Sequence, residues 1–205
     1  MSFEPTHYMA TPSEHSFRCP NCGQTFSVKL HDIINVSENP ELKSAVLDGG
    51  IFMQECPFCG RRHLVRRPVV YLDPDEKLLI LLSDKPVSMD DAEGYTARIV
   101  SLAGDLIEKV KIFDAGLDDK AVEMCKFVTK QDAGKPEMEL KFLRLDGADG
   151  DLVFAYPSGG DMQMLAVSFS VYEDCRGIIA RNPAVAERAR GLCRIDEAWV
   201  SSLIR

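Results

Sequence analysis

Four of the seven cysteines lie in two copies of one short pattern. Cys19-Pro20-Asn21-Cys22-Gly23 and Cys56-Pro57-Phe58-Cys59-Gly60 both read Cys-Pro-x-Cys-Gly. Proline fixes φ at the entry to a turn, and glycine allows the positive φ that directs backbone N–H groups toward the sulfurs. Two such turns facing each other supply four thiolates, which suits one tetrahedral zinc ion with Zn–S bonds of about 2.3 Å. The pattern predicts one zinc ion per chain, bound by Cys19, Cys22, Cys56 and Cys59.

Redox chemistry is the main alternative for these cysteines, because a Cys-x-x-Cys pair can cycle between dithiol and disulfide. A redox enzyme needs one exposed pair, whereas two glycine-followed turns match a four-thiolate site. Four thiolates leave no coordination position for water, so the site is predicted to be structural rather than catalytic. Iron in place of zinc stays open as an alternative metal. His63 could replace a cysteine ligand in principle, but four thiolates make it unnecessary.

The remaining cysteines, Cys125, Cys175 and Cys193, stand singly within apolar segments. We expect them to be small buried hydrophobic side chains in a protein of a reducing compartment. The first residues lack both a basic start and an apolar run, and no later apolar stretch is long enough to cross a bilayer. We therefore expect a cytoplasmic protein that is not inserted in a membrane.

Charge is unevenly distributed along the chain. The net charge of −8 disfavours broad binding to nucleic acid, yet residues 14 to 68 hold seven Lys and Arg against six Asp and Glu. A basic run follows the second cysteine turn and could contact phosphates. The simpler interpretation is that the run offsets the charge of a four-thiolate zinc centre and keeps an edge strand soluble. Its members are Arg61, Arg62, His63, Arg66 and Arg67.

Residues 15–86 are predicted to form a zinc-ribbon-like unit, preceded by a flexible leader at residues 1–14. We expect His7 in the leader, and His15 at the junction, to be solvated. Alternating apolar residues predict a strand over 25–31, and Asn39-Pro40-Glu41 predicts the start of an inserted helix that ends at Gly49. The segment 51–53 is expected to be a strand leading into the second turn. Residues 69–72 and 77–82 predict an apolar hairpin around Pro74.

The second half, residues 87–205, is predicted to be an α+β domain. Ser88 to Asp91 resembles a capping box, and apolar residues from Tyr95 to Phe113 recur at helical spacing. Asp118 is expected to cap a second helix, which gives a helical hairpin. Three alternating segments between residues 137 and 169 predict an antiparallel meander, and a capped terminal helix carries Trp199. The predicted fold is α+β, a zinc-ribbon-like β subdomain packed on these elements.

With its two Cys-Pro-x-Cys motifs the chain resembles the bacterial and archaeal CpXC proteins, from about residue 16 onward. That family is functionally uncharacterised, and the resemblance implies metal binding through the four cysteines and no particular reaction. The likeness continues through Ile34-Asn35-Val36, Pro40-Glu41-Leu42, Tyr71-Leu72-Asp73, Leu106-Ile107-Glu108-Lys109, Leu117-Asp118-Asp119 and Ile195-Asp196-Glu197-Ala198-Trp199.

No catalytic constellation is visible in the sequence. The acidic stretch Asp146 to Asp151 fails the calcium-loop register and suits a hairpin turn, and no phosphate-binding glycine pattern occurs. We therefore expect a zinc-binding protein without enzymatic activity, serving as an interaction module for a protein partner or a second copy. The alternative is a nucleic-acid-binding zinc ribbon that uses Arg61, Arg62, Arg66 and Arg67. A third alternative is an enzyme with a pocket between the ribbon and the helices, which would need a convergent polar cleft with perturbed titratable groups.

Overall fold

The computed structural model describes residues 11–87, 92 and 94–204 of the 205-residue chain. The protein is a mixed α+β structure, which confirms the fold class predicted from the sequence. It divides into two compact units, Met1–Ile107 and Glu108–Arg205, with the division falling inside one helix. The predicted capping box at residues 88–91 lies outside the described residues.

Two antiparallel hairpins of the first unit lead into and out of the cysteine turns. Strands β1 and β2 flank the first turn, and β4 and β5 flank the second. In β2 the side chains of Phe26, Val28 and Leu30 share the less exposed face, as the alternation predicted. Ser13 and Glu14, which the sequence analysis placed in the leader, lie in β1. The strands are β1 Ser13–Arg18, β2 Thr25–Leu30, β4 Met53–Glu55 and β5 Arg62–Leu64.

A four-stranded sheet forms the core of the first unit. Its order is β3-β6-β7-β8, with the central β6–β7 pair antiparallel and both outer pairs parallel. The β6–β7 hairpin is the apolar one predicted around Pro74, and Tyr71, Leu72 and Ile80 are fully buried in it. The strands are β3 Ile33–Asn35, β6 Val69–Asp73, β7 Leu78–Leu82 and β8 Thr96–Val100.

Strand β8 corrects the prediction of one long helix from Tyr95. Residues Ala97 to Val100 are all buried, and β8 pairs in parallel with β7. Because Ile99 and Val100 are β-branched and β7 offered an unpaired edge, the segment gains a full ladder of backbone hydrogen bonds as a strand. The helix α2 begins only at Ala103 and runs Ala103–Asp114.

The inserted helix α1, Glu41–Leu47, lies between the two hairpins in the chain. Pro40 rather than Asn39 occupies the N-cap position, and the Asn39 side chain instead hydrogen bonds Glu41. Residues Gly50–Phe52 form a 3-10 turn where a strand was expected, so β4 starts two residues later than predicted. The turn follows Gly49, whose φ of 75° is reached easily only by glycine.

The second unit packs helices on an antiparallel meander of order β11-β10-β9. Phe142 and Phe154 meet edge to face at a centroid distance of 6.1 Å in its core. The Asp118 side chain accepts a hydrogen bond from the Lys120 N–H, which confirms the predicted cap. The elements are α3 Asp119–Asp132, β9 Lys141–Asp146, β10 Asp151–Ser158, β11 Asp161–Val167, α4 Phe169–Arg181, α5 Pro183–Arg188 and α6 Glu197–Ile204.

Helix α4 was not predicted from the sequence patterns. Phe169, assigned to the last strand of the meander, is its first residue, and the hydroxyl of Ser168 caps it by accepting from Ser170 N–H. Its buried positions Tyr172, Cys175 and Ile179 have helical spacing. Among the described residues, none of the helices combines the length and the apolar character that a membrane crossing requires.

Candidate metal centre

The two cysteine turns have the same backbone geometry. In the first turn Gly23 N–H donates to the Cys19 carbonyl and Cys19 N–H donates to Gln24, each at 2.9 Å. In the second turn Gly60 N–H and Cys56 N–H make the equivalent bonds, also at 2.9 Å. Gly23 and Gly60 have φ of 75° and 67°, the left-handed conformation predicted for the glycine of each motif.

The four sulfurs of these turns converge on one point. Their Sγ atoms all lie within 4.8 Å of one another. Two distances between hairpins are shorter, with Cys19 to Cys59 and Cys22 to Cys56 both at 3.7 Å. A regular tetrahedron with Zn–S bonds of about 2.3 Å has sulfur–sulfur edges of about 3.8 Å. The spacing therefore fits a single four-coordinate metal ion and is far longer than a disulfide bond of about 2.05 Å.

The first cysteine of each motif is buried and the second lies nearer the solvent. Cys19 and Cys56 are 1% and 0% exposed, whereas Cys22 is exposed and Cys59 is intermediate. This difference follows from the turn, because the first cysteine ends the incoming chain and the second lies at the tip. In the described part of the chain, no other cluster of three or more His, Cys, Asp or Glu side chains could hold a metal ion.

Hydrogen bonds from nearby groups favour ionisation of one thiol. The pKa of Cys59 is lowered to about 6, first by a backbone hydrogen bond from Arg61 and also by the Asn21 side chain, against partial desolvation. The pKa of Cys22 is raised to about 12, because desolvation and the neighbouring thiols outweigh a backbone hydrogen bond from Gln24. A lowered pKa favours the thiolate form of Cys59, which is the form that binds metal.

Aromatic side chains pack between the two hairpins. Phe17 of β1 and Phe26 of β2 meet edge to face at 5.4 Å, and Phe26 contacts Phe58 of the second turn at 6.4 Å. Phe17 also lies 6.2 Å from the ring of His63 on β5. These contacts join the hairpins beside the sulfurs. Phe26 and Phe58 are distant in sequence, so the alternation over residues 25–31 indicated the face of β2 but not this contact.

His63 makes a direct contact with the cysteine cluster. Its Nε2 atom lies 3.3 Å from the Sγ atom of Cys19, within hydrogen-bonding distance for sulfur. From the sequence, His63 is indicated only as a substitute for a cysteine ligand. His63 follows Cys56 by the same seven residues that separate Phe26 from Cys19, but this position does not indicate a contact with the sulfur of the other turn.

The arginines of the basic run differ in their surroundings. Arg61, Arg62 and Arg66 are exposed, and none has a carboxylate of another described residue within ion-pair distance. Arg67 is instead only 10% exposed, and its Nη1 atom lies 2.8 Å from Oδ1 of Asp32. The first three arginines are therefore accessible to an anionic partner, whereas Arg67 is bound to Asp32.

The carboxylate of Asp32 is also hydrogen bonded to residues at the start of β1. Nε2 of His15 lies 2.9 Å from Oδ2 of Asp32, and the Ser13 hydroxyl donates to the same oxygen. Burial raises the pKa of Asp32. The hydrogen bonds from Ser13 and His15 and the charge of Arg67 together lower this pKa by more than burial raises it, so the net shift is downward. His15 was expected to be solvated, and it is in fact half-buried against Asp32. Because Ser13 and Asp32 share one ring nitrogen, the group lacks the geometry of a nucleophilic triad.

The comparison with protein families gives one match. A model of the family described as CpXC protein matches residues 17–126, more than half of the chain, and this segment contains all four cysteines of the cluster. No curated protein and no solved structure is significantly similar. The paired motifs, the convergence of their sulfurs and the extent of the match lead to one conclusion: this chain belongs to the CpXC protein family.

Proposed function

We propose that the four cysteines bind one zinc ion whose role is structural. The single observation that carries this proposal is the 3.7 Å spacing of the Cys19–Cys59 and Cys22–Cys56 sulfurs, close to the edge of a zinc–thiolate tetrahedron. Each of these pairs takes one sulfur from each hairpin. A bound ion would therefore fasten β1–β2 to β4–β5 through four bonds.

The chemistry of the donor set supports zinc over a catalytic or redox role. Four thiolates complete a tetrahedral coordination shell and leave no position for a reacting water molecule. A disulfide within either motif would need its two sulfurs at about 2.05 Å and would remove both from the cluster. Iron accepts the same ligands, and so the identity of the metal is part of the proposal and is tested directly.

Elemental analysis of purified protein tests the metal and its ligands together. We expect one zinc ion per chain in the native protein and a loss of that zinc in Cys59→Ser. Cys193→Ser is the matched control, because it removes a partly exposed cysteine that lies outside the cluster. Iron in place of zinc, full zinc retention in Cys59→Ser, or equal loss in the control would contradict the proposal.

We infer that the wider role of the protein is interaction with a protein partner or with its own copy. The net charge of −8 supports this role over binding to polyanions. Nucleic-acid binding is favoured by the exposed Arg61, Arg62 and Arg66, which have no described carboxylate partners. Phe58, which is 61% exposed at the tip of the second turn, could stack on a base.

Salt dependence separates these two roles. If the arginines bind a nucleic acid, retention of the full zinc-loaded chain on single-stranded DNA or RNA should fall steeply with salt and disappear in Arg61→Glu/Arg62→Glu. The control is Arg176→Glu/Arg181→Glu, which makes the same charge change on exposed residues of α4. Absence of binding at low salt excludes the nucleic-acid role. Light scattering then tests self-association, for which we expect a mass that rises with concentration.

A further inference from the structure

We propose that His63 is a positioning residue of the metal centre, whose Nε2–H donates a hydrogen bond to the thiolate of Cys19 and not to the other three sulfurs. This inference rests on the proposed zinc site and assigns to His63, which lies beside the ligands, the role of hydrogen-bond donor. The hydrogen bond would fix the orientation of the Cys19 sulfur and withdraw electron density from it.

The direction of the hydrogen bond follows from the chemistry of a metal-bound thiolate. Nε2 of His63 lies 3.3 Å from Sγ of Cys19. A cysteine bound to a metal has lost its proton, so the hydrogen in this contact must come from the imidazole ring. The contact therefore requires the Nε2–H form of His63, in which the ring acts as the donor.

The contact joins the two hairpins. Cys19 follows β1 of the first hairpin, whereas His63 lies in β5 of the second and pairs with Gln54 of β4. Phe17 packs against the His63 ring with their planes tilted by 39°. The backbone pairing and the packing hold the His63 ring toward Cys19.

Only the second of the two motifs is followed by a side-chain hydrogen-bond donor at this position. Phe26 occupies the position seven residues after Cys19, equivalent to that of His63 after Cys56. Both rings contact Phe17, Phe26 as its cross-strand partner in the same hairpin and His63 from the other hairpin. Phenylalanine fills the equivalent position of the first motif without a donor, which indicates that the repeat itself does not require histidine there.

The physical consequence concerns the charge of the centre. Zinc with four thiolates carries a formal charge of about −2, and each N–H···S hydrogen bond delocalises part of it. Near the surface, the backbone of Gln24 donates a hydrogen bond to the sulfur of Cys22, and the backbone of Arg61 donates one to the sulfur of Cys59. His63 does the same for the buried Cys19, which water cannot reach.

Cobalt substitution and zinc competition test this assignment at one fixed pH. His63→Phe keeps an aromatic ring but removes the donor, whereas His63→Gln places an amide N–H where Nε2 lies. We expect the sulfur-to-cobalt charge-transfer bands to move to lower energy in His63→Phe, because the Cys19 sulfur loses its hydrogen bond. We expect zinc affinity, measured against a chelator, to fall about 10-fold in His63→Phe. His63→Gln should stay close to the native protein in both measurements.

The outcomes distinguish this inference from the proposed function. If native protein gives no four-thiolate cobalt spectrum, the zinc proposal and this inference both fail. If the native spectrum is present but His63→Phe is unchanged, or His63→Gln changes as much as His63→Phe, the inference alone fails. Circular dichroism of the loaded protein checks folding, and His63→Leu replaces the phenylalanine variant if that variant does not fold.

Discussion

The Nζ atom of Lys126 lies 3.1 Å from Oε1 of Glu108, with both side chains largely buried. The same Nζ lies 2.9 Å from Glu123, and Glu108 also accepts the Phe142 N–H at 2.6 Å. Helix α3 is thereby linked to α2 and to the start of β9. Buried charges of this kind are costly to desolvate and depend on their partners.

Replacement of Lys126 by Met should strongly destabilise the protein. The substitution leaves Glu108 and Glu123 without their shared cation, and the expected loss is about 3 to 5 kcal/mol in the free energy of unfolding. Urea denaturation measures it. Lys120→Met is the matched control on the same helix, because its ion pair with Asp118 is partly exposed and should contribute less than about 1 kcal/mol. Equal losses in the two variants would contradict the assigned importance of burial.

The same cluster should make stability fall in acid. Burial raises the pKa of Glu108, but the charges of Lys126 and Lys141 and the Phe142 N–H lower it more, so the net shift is downward. A carboxyl group whose pKa is lower in the folded state stabilises that state above its unfolded pKa, and this contribution is lost as pH falls through the folded value. Unfolding free energy, measured in urea from neutral pH into the acid range, should therefore decrease.

Glu108→Gln provides the control for this pH dependence. The variant cannot ionise at position 108, so its stability should be lower at neutral pH and should change less on acidification than that of the native protein. A native and a variant curve that run parallel would show that other carboxyl groups, such as Asp32 with its lowered pKa, account for the acid effect.

Metal removal should affect the two hairpins more than the meander of the second unit. The sulfurs join β1–β2 to β4–β5, whereas β9 to β11 are held by their own core, with Phe142 and Phe154 buried. Structural zinc can contribute about 10 to 16 kcal/mol of apparent binding energy coupled to folding. Hydrogen exchange followed by mass spectrometry should show faster exchange over residues 13–30 and 53–64 after chelation. Unchanged exchange there would contradict a structural role for the metal.

Thiol labelling should separate the three cysteines outside the cluster. Cys125 and Cys175 are 0% and 3% exposed, whereas Cys193 is partly exposed. A hydrogen bond with Cys175 and burial also raise the pKa of Cys125, which further reduces its reactivity. In zinc-loaded protein we expect iodoacetamide to modify Cys193 first and Cys125 and Cys175 only after unfolding. Early modification of Cys125 would contradict its burial.

Sequence patterns determined those features that depend on neighbouring residues. Cys-Pro-x-Cys-Gly contains the ligands, the turn and the positive-φ glycine within five positions, so the two turns could be predicted from each motif alone. The hairpin of β6 and β7 followed from two apolar runs around Pro74, and the α3 cap from Asp118. In each case the deciding interactions lie within a few residues.

Only the tertiary structure decided the features that depend on distant partners. Residues 96–100 became a strand because β7 offered a free edge, although Tyr95 and Ile99 also fit helical spacing. Glu108, Lys109, Glu123 and Lys126 carry charges typical of a solvated helix face, yet folding buries them against one another. His63 contacts Cys19 across 44 residues of chain, and no local pattern specifies a contact over that separation. Local preferences are encoded by neighbours, but pairing and burial depend on which surfaces the whole chain brings together.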